Sequence, residues 1–177
     1  MKISEKIKTE EENMFETYIK KAVEYGATSA KVIDCKTIVT APWVRMKCQF
    51  GCGGYNSSHC CPPNTPTPEE TQKVINCFKR AILVHCQGKR SPSIIVSKLE
   101  RVIFLSGFYK VFAFGAGPCN LCRKCKEDGC RHPESARPAM EACGIDVYAT
   151  ARANEYPISV LKDESCEGNY FGLILID

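Results

Sequence analysis

The sequence lacks the features that mark membrane proteins and secreted proteins. No apolar run approaches the ~20 residues that span a bilayer, and the longest runs, such as residues 171–176, are short. The N-terminus reads M-K-I-S-E-K-I-K-T-E-E-E, and its acidic residues and missing apolar core exclude an ordinary secretory signal. We therefore expect a cytoplasmic protein without a membrane span.

An excess of one charge is also missing. The 24 basic and 20 acidic residues give a net charge of +4, and lysines alternate with glutamates near the N-terminus. A protein that binds duplex nucleic acid usually concentrates its basic residues on one face. We therefore expect no nucleic-acid partner, and at most a weak attraction to an acidic protein.

Common catalytic motifs are absent as well. The sequence shows no paired carboxylates, no Ser/His arrangement and no phosphate-binding glycine motif. The triplet Gly115-Ala116-Gly117 lacks the rest of a dinucleotide fingerprint, and the C-x3-C-x2-C pattern of radical SAM enzymes is not found. The sequence leaves open whether the protein catalyses any reaction.

Cysteine is the residue that the sequence has in excess, with 13 among 177 residues. The composition is otherwise that of a globular protein, with 44% hydrophobic and 25% charged residues. A chain of this length buries enough surface to fold without crosslinks, and disulfides need an oxidising compartment. An odd number of cysteines without a secretory signal therefore predicts thiolates held by a metal.

The hydrophobic periodicity predicts a single domain over residues 1–177 in which helices and strands alternate. Predicted helices cover about 10–25, 67–78, 91–105, 138–143 and 146–154, and predicted strands cover 31–40, 81–86, 111–114 and 171–176. Two segments without periodicity, about 42–68 and 115–133, are rich in cysteine, glycine or proline. The expected fold is an α/β or α+β sandwich with two cysteine-rich metal-binding loops.

The second of these segments carries the stronger metal-binding motif. Cys119, Cys122, Cys125 and Cys130 follow the pattern C-x2-C-x2-C-x4-C. Thiols at two-residue spacing can wrap one [4Fe-4S] cubane. The corresponding motif of bacterial ferredoxins, C-x2-C-x2-C-x3-C-P, differs in its shorter last spacing and in the proline that follows its last cysteine directly. The same four thiols could instead hold zinc tetrahedrally.

The first segment offers Cys48, Cys52, Cys60 and Cys61 in the pattern C-x3-C-x7-C-C-P-P. The side chains of neighbouring residues diverge in an extended chain, so Cys60 and Cys61 are not expected to face the same site. Cys61, which precedes the double proline, is the preferred ligand. Cys60 is either a spare thiol or a ligand of a second centre.

Charged residues close to the second motif are candidates for tuning the potential of a cluster or for docking a partner protein. Arg131 and His132 follow Cys130 directly, and Arg137 comes a few residues later. Positive charge and hydrogen bonds near a cluster raise its potential, and a basic surface can dock an acidic redox partner. An alternative interpretation is a solvated loop whose charges balance one another.

Several motifs together resemble one family. K-C-Q-F-G-C, C-P-P-N-T-P-T-P-E-E-T, G-P-C-N-L-C-R-K-C and C-R-H-P-E-S-A-R-P-A-M-E-A-C-G-I-D-V are similar to predicted metal-binding proteins classed as domain of unknown function 2284. The resemblance covers residues from Lys31 to the C-terminus. It implies a small cysteine-rich protein, mostly of anaerobic bacteria and archaea, suspected of carrying iron–sulfur clusters, with no settled activity.

The resemblance also implies a set of shared cysteines. They are Cys48, Cys52, Cys61, Cys119, Cys122, Cys125 and Cys130. Seven thiols are one short for two fully ligated cubanes. Either Cys60 or another thiol supplies an eighth ligand and two cubanes lie close together, or the site of the first segment keeps one iron open.

These observations predict a protein with one or two [4Fe-4S] clusters, or zinc as the alternative. The leading function is electron transfer to a redox partner protein, or electron delivery within a larger assembly. The first alternative is an enzyme or accessory protein whose open-site cluster handles a sulfur-containing or other small molecule. The second alternative is a zinc-stabilised interaction module.

Overall fold

A computed structural model describes residues 2–88, 90–163 and 165–177, with side chains from Glu12 onward. The described residues form five α-helices, which are α1 (Lys2–Glu24), α2 (Pro42–Gly51), α3 (Pro68–Ile75), α4 (Ser93–Leu105) and α5 (Val147–Ala153). They also form four strands, which are β1 (Ser29–Asp34), β2 (Arg80–Gln87), β3 (Val111–Phe114) and β4 (Asn169–Ile176). In this part of the chain, no helix combines the length and the apolar character that crossing a bilayer needs.

The four strands form one antiparallel sheet in the order β1-β2-β4-β3. Strand β4 pairs with β2 along its whole length, from Arg80 opposite Ile176 to Gln87 opposite Asn169. Because β2 and β3 are both antiparallel to β4, they run parallel to each other with β4 between them. Helix α4 connects them, so this half of the sheet is a split β-α-β unit.

The sheet is buried on both faces, since successive side chains of a strand point to opposite sides. On one face, α1 and α4 cover Ile82, Val84 and Ile174. On the other face, α3 and α5 cover Leu83, Leu173 and Leu175. This arrangement confirms the predicted layered mixture of helices and strands, with the sheet of an α+β fold. The second face also holds Cys143, which belongs to the turn that supports the cysteine-rich segments.

Segment 138–146 joins the two cysteine-rich segments to this second face. The Gly115 N–H donates to the Pro138 carbonyl at 2.8 Å, at the start of the second segment. At its other end, the segment forms an antiparallel bridge between Ile145 and Thr40, just before α2. The short 3₁₀ turn Glu141–Cys143 therefore lies between the entrances of both segments.

Most predicted elements are confirmed. Strands β2, β3 and β4 occupy the predicted positions, and α5 begins at the N-cap Asp146. The T-x-x-E pattern of residues 67–70 predicts a capping box at the start of α3, and it is present in full. The Thr67 side chain accepts from the Glu70 N–H, and the Glu70 side chain accepts from the Thr67 N–H. Such reciprocal bonds satisfy two otherwise unpaired N–H groups.

Several predictions of elements are wrong. The predicted helix over residues 138–143 is only the 3₁₀ turn Glu141–Cys143. Helix α1 begins at Lys2 and not near residue 10, because the charged N-terminal residues are good helix formers as well. Strand β1 ends at Asp34, whose side chain accepts from the Lys36 N–H and starts a 3₁₀ turn. The region 42–51, predicted as the beginning of a loop, is helix α2, with proline in its first turn, where its missing N–H costs nothing.

Candidate metal centre

Helix α2 carries Cys48 toward the second face of the sheet. The helix packs on the 3₁₀ turn Glu141–Cys143. The Arg45 guanidinium, one turn before Cys48, donates to the carbonyls of Thr65 and Pro66 at 3.2 and 2.6 Å. These bonds hold the end of the first cysteine-rich segment against the helix that begins it, so the segment forms a closed loop.

Three thiols, Cys48, Cys52 and Cys61, come together at the mouth of this loop, and we call them the first thiol group. A Cβ added to Gly54 would lie 3.4 Å from Cys52 Sγ and 3.9 Å from Cys61 Sγ, so both sulfurs border the space that this glycine leaves free. Burial raises the pKa of Cys48, and the neighbouring Cys52 thiol raises it further. The Gly54 N–H donates to Cys52 Sγ at 3.4 Å.

Cys60 belongs to a different set of neighbours. Burial raises the pKa of Cys60 to about 12, and the adjacent thiols of Cys119 and then Cys130 contribute to the increase. We call Cys60, Cys119 and Cys130 the second thiol group. The His132 N–H donates to Cys130 Sγ at 3.3 Å. The Cys60 thiol thus lies beside thiols of the second motif, whereas the Cys61 thiol borders the space at Gly54, and both residues line one cavity.

The other two cysteines of the second motif lie along a surface groove. Cys122 and Cys125 line this groove together with Arg123, Lys124 and Lys126. All four cysteines of the motif are half-buried. In the part of the chain that the structure describes, no three His, Cys, Asp or Glu side chains are arranged so that they could hold a metal ion.

Arg137 forms the main ionic contact beside the second thiol group. Its Nε and Nη2 donate to the two carboxylate oxygens of Glu100 at 2.5 and 2.8 Å, and this bond raises the pKa of Arg137. Its Nη1 donates to the carbonyls of Pro133 and Ala136. Arg137 therefore fastens the end of the second cysteine-rich segment to helix α4.

The other two predicted tuning residues make weaker contacts. Arg131 is exposed and donates to the Lys124 carbonyl at 3.5 Å. The His132 ring is 3.8 Å from the Glu134 carboxylate. A contact that the sequence did not indicate joins the two segments directly, since His59 Nε2 is 2.8 Å from the Lys126 carbonyl oxygen.

A cavity of about 610 Å³ adjoins the first thiol group. Its walls include Cys48, Cys52, Cys61, Trp43, Glu141 and Tyr148. Aromatic walls with a few polar groups are typical of small-molecule sites. The cavity can therefore admit a small molecule next to the thiols.

Sequence reasoning missed Glu141 as a residue of this centre. Its Oε2 is inaccessible to solvent and has no hydrogen-bond partner among the described residues. Burial raises the pKa of its carboxyl group, and the same carboxyl raises the pKa of Cys48. The only signal in the sequence was its place two residues before Cys143, inside one of the family motifs.

Cysteines outside both cysteine-rich segments differ in their burial. The periodic positions of Cys35, Cys77 and Cys86 predict small buried side chains. Cys35 and Cys86 are indeed buried in the cores. The prediction is wrong for Cys77, because this residue follows the end of α3 and is exposed. Cys143 is fully buried, and burial raises its pKa to about 12, with Arg45 opposing and Cys60 adding to the effect.

The donor set suits a metal that prefers sulfur. Thiolates select zinc and iron–sulfur clusters over hard cations, and the two N–H donors to Cys52 and Cys130 are the kind that stabilise ligating sulfur. The space beside Gly54 lies between two of the thiols. Once their thiols moved into ligand geometry, Cys48, Cys52 and Cys61 would hold one metal group, and Cys60, Cys119 and Cys130 would hold another.

Comparison with known proteins agrees with this chemistry. No curated protein and no solved structure matches the chain. A family model described as a predicted metal-binding protein, DUF2284, matches residues 31–176, which include both thiol groups and segment 138–146. The resemblance found in the sequence is thereby confirmed, and the chain belongs to the DUF2284 family of predicted metal-binding proteins.

Proposed function

We propose that the protein binds one or two [4Fe-4S] clusters at its two thiol groups and transfers electrons to a partner protein in the cytoplasm. The spacing of Cys119, Cys122, Cys125 and Cys130 supports a cluster more than zinc, since structural zinc usually uses two separated C-x2-C pairs. Binding draws the thiols of each group into ligand geometry.

One observation carries this proposal, namely that Cys60 lies beside Cys119 and Cys130 while Cys61 lies beside Cys52. Two cysteine-rich segments that are far apart in sequence therefore meet, and their thiols form two adjacent groups. Neighbouring clusters are the arrangement in which electrons pass readily from one centre to the next. A bound cluster supplies a one-electron couple, and the protein sets its potential through burial, charge and hydrogen bonds to sulfur.

In this proposal, the residues around the two thiol groups stabilise ligand sulfurs, fix the second cysteine-rich segment and dock the partner protein. The N–H groups of Gly54 and His132 stabilise ligand sulfurs, and Arg137 fixes the end of the second segment. The groove along Cys122 and Cys125 carries more basic than acidic residues, with Arg123, Lys124, Lys126 and Arg131 against Glu127 and Asp128. This surface would dock an acidic partner protein close to the second thiol group.

The test is the content of iron, acid-labile sulfide and zinc in protein purified without oxygen, with a visible spectrum of the same sample. Paired cubanes predict about eight irons and eight sulfides per chain and a spectrum that reductant bleaches reversibly. One cluster predicts about half of these amounts. Zinc without sulfide would contradict the proposal and favour a zinc-stabilised interaction module.

The cavity beside the first thiol group favours a second candidate function. A cluster there that keeps one iron open could act as a Lewis acid on a sulfur-containing or other small molecule. The cavity of about 610 Å³ would give such a molecule access. In this case small thiols or cyanide should change the spectrum of the loaded protein, whereas a pure electron carrier should not respond.

A further inference from the structure

We propose that the Glu141 carboxylate is the fourth ligand of the metal centre formed by the first thiol group. The inference rests on the proposed function, because it concerns the cluster bound by Cys48, Cys52 and Cys61. It assigns an oxygen ligand to this centre. A carboxylate would complete four ligands there without a thiol from the second group.

The fold places Glu141 at this centre and holds it there. Its turn lies in segment 138–146, which the Thr40–Ile145 bridge joins to the entrance of α2. The Thr65 hydroxyl donates to the Ala142 carbonyl at 2.6 Å, from the opposite end of the first cysteine-rich segment. Both ends of that segment are thus fixed to the turn that carries Glu141.

The surroundings of the Glu141 side chain point to a cation. Glu141 lines the cavity that Cys48, Cys52, Cys60 and Cys61 also line, yet its Oε2 is buried and has no hydrogen-bond partner in the described residues. A carboxylate in this state is costly unless a positive charge or a donor compensates it. Buried charges in proteins are paired or coordinate metals, and an iron held by the neighbouring thiols would provide the compensation.

Cys143 is the competing candidate for a fourth ligand, and its position is less suitable. It is fully buried and belongs to the hydrophobic core formed with Met140 and Leu173. It is not among the residues that line the cavity, whereas Glu141 is. We therefore assign the ligand role to Glu141 and a packing role to Cys143.

The experiment compares Glu141→Gln, Glu141→Cys and Cys143→Ser with the natural protein after anaerobic purification. Glutamine keeps the size of the side chain but is a poor ligand, and cysteine supplies a thiolate instead. Glu127→Gln, at an exposed position of the second cysteine-rich segment, is the control for loss of one negative charge. Each sample is analysed for iron, sulfide, circular dichroism and electron paramagnetic resonance.

We expect Glu141→Gln to lose about one iron per chain and to show the signal of an oxidised three-iron cluster, because a cubane corner has lost its ligand. Glu141→Cys should keep the iron content of the natural protein, and so should Cys143→Ser and Glu127→Gln. Equal iron and an unchanged signal in Glu141→Gln would overturn the assignment. Loss of iron in Cys143→Ser alone would overturn it in favour of that thiol.

A second measurement needs no variant and covers the case in which Glu141→Gln fails to fold. The natural protein is labelled with ¹³C at glutamate carboxyl groups, and pulsed electron paramagnetic resonance is recorded on the reduced clusters. A carboxylate ligand predicts a resolved ¹³C hyperfine coupling that Glu141→Cys removes, and a spectrum without this coupling would refute it. If the natural protein contains no iron and sulfide, the proposed function itself fails, and this result is distinct from a loaded protein without a carboxylate ligand.

Discussion

Replacing Arg137 by alanine should destabilise the protein strongly. The Arg137 and Glu100 side chains are only 15% and 10% exposed, and they form a bidentate ion pair. Removing the arginine leaves the Glu100 carboxylate buried without its cation and also breaks the bonds to the Pro133 and Ala136 carbonyls. Breaking a buried pair in this way costs about 3–5 kcal/mol.

Urea denaturation of the metal-free, reduced protein measures this loss as a shift of the midpoint at constant slope. Arg131→Ala is the matched control, since Arg131 is exposed in the same segment, and should change the free energy of unfolding by less than about 0.5 kcal/mol. The double variant Glu100→Gln/Arg137→Met should cost less than the two single changes together, because no unpaired charge remains. A loss below about 1 kcal/mol in Arg137→Ala would refute the reasoning that this pair is strongly coupled.

Three further outcomes follow from the structure. Cys60→Ser should reduce the iron content of the loaded protein, whereas the same change at the exposed Cys166 should not. Equal losses of iron in the two variants would contradict the assignment of Cys60 as a ligand in the second thiol group. Because burial raises the pKa of Cys35 from 9.0 to about 12, the unfolded chain loses this proton first as the pH rises. Stability should therefore fall between pH 9 and 12 by up to about 1.4 kcal/mol per unit, and denaturation of Cys35→Ala should show a shallower fall. Gly144→Ala should lower the free energy of unfolding by about 1–3 kcal/mol, because φ at this residue is 78° and the new Cβ would lie 3.0 Å from Pro68 Cα. An unchanged midpoint in thermal denaturation would contradict this strain.

The sequence predicts those elements whose signals are local. The capping box of Thr67 and Glu70 and the apolar runs of β2 and β4 depend on neighbouring residues, and each element lies where its pattern places it. The sequence does not predict helix α2, because the cysteines, glycines and prolines of residues 42–68 together indicate one continuous loop. The order of the strands depends on pairings between distant residues, and no local pattern determines them.

The candidate centre was predictable as a list of cysteines but not as an arrangement. The cysteine pattern and the family resemblance together nominate Cys48, Cys52 and Cys61, and whether they ligate a metal stays a prediction. Sequence cannot show that Cys60 turns toward Cys119, or that Glu141 lies beside Cys48, because these contacts cross the fold. Arg137 was nominated from its position near Cys130, and its partner Glu100 lies on a helix 37 residues away.

The adjacent residues Cys60 and Cys61 couple the two thiol groups through the backbone. A single peptide links a member of one group to a member of the other, so fixing one group restricts the backbone of its neighbour. If the proposed centres bind metal, most of the entropy lost on ordering this stretch would be lost when the first centre is filled. We therefore expect cooperative occupancy, so that at limiting metal supply a population of chains would divide into filled and empty molecules with few half-filled ones.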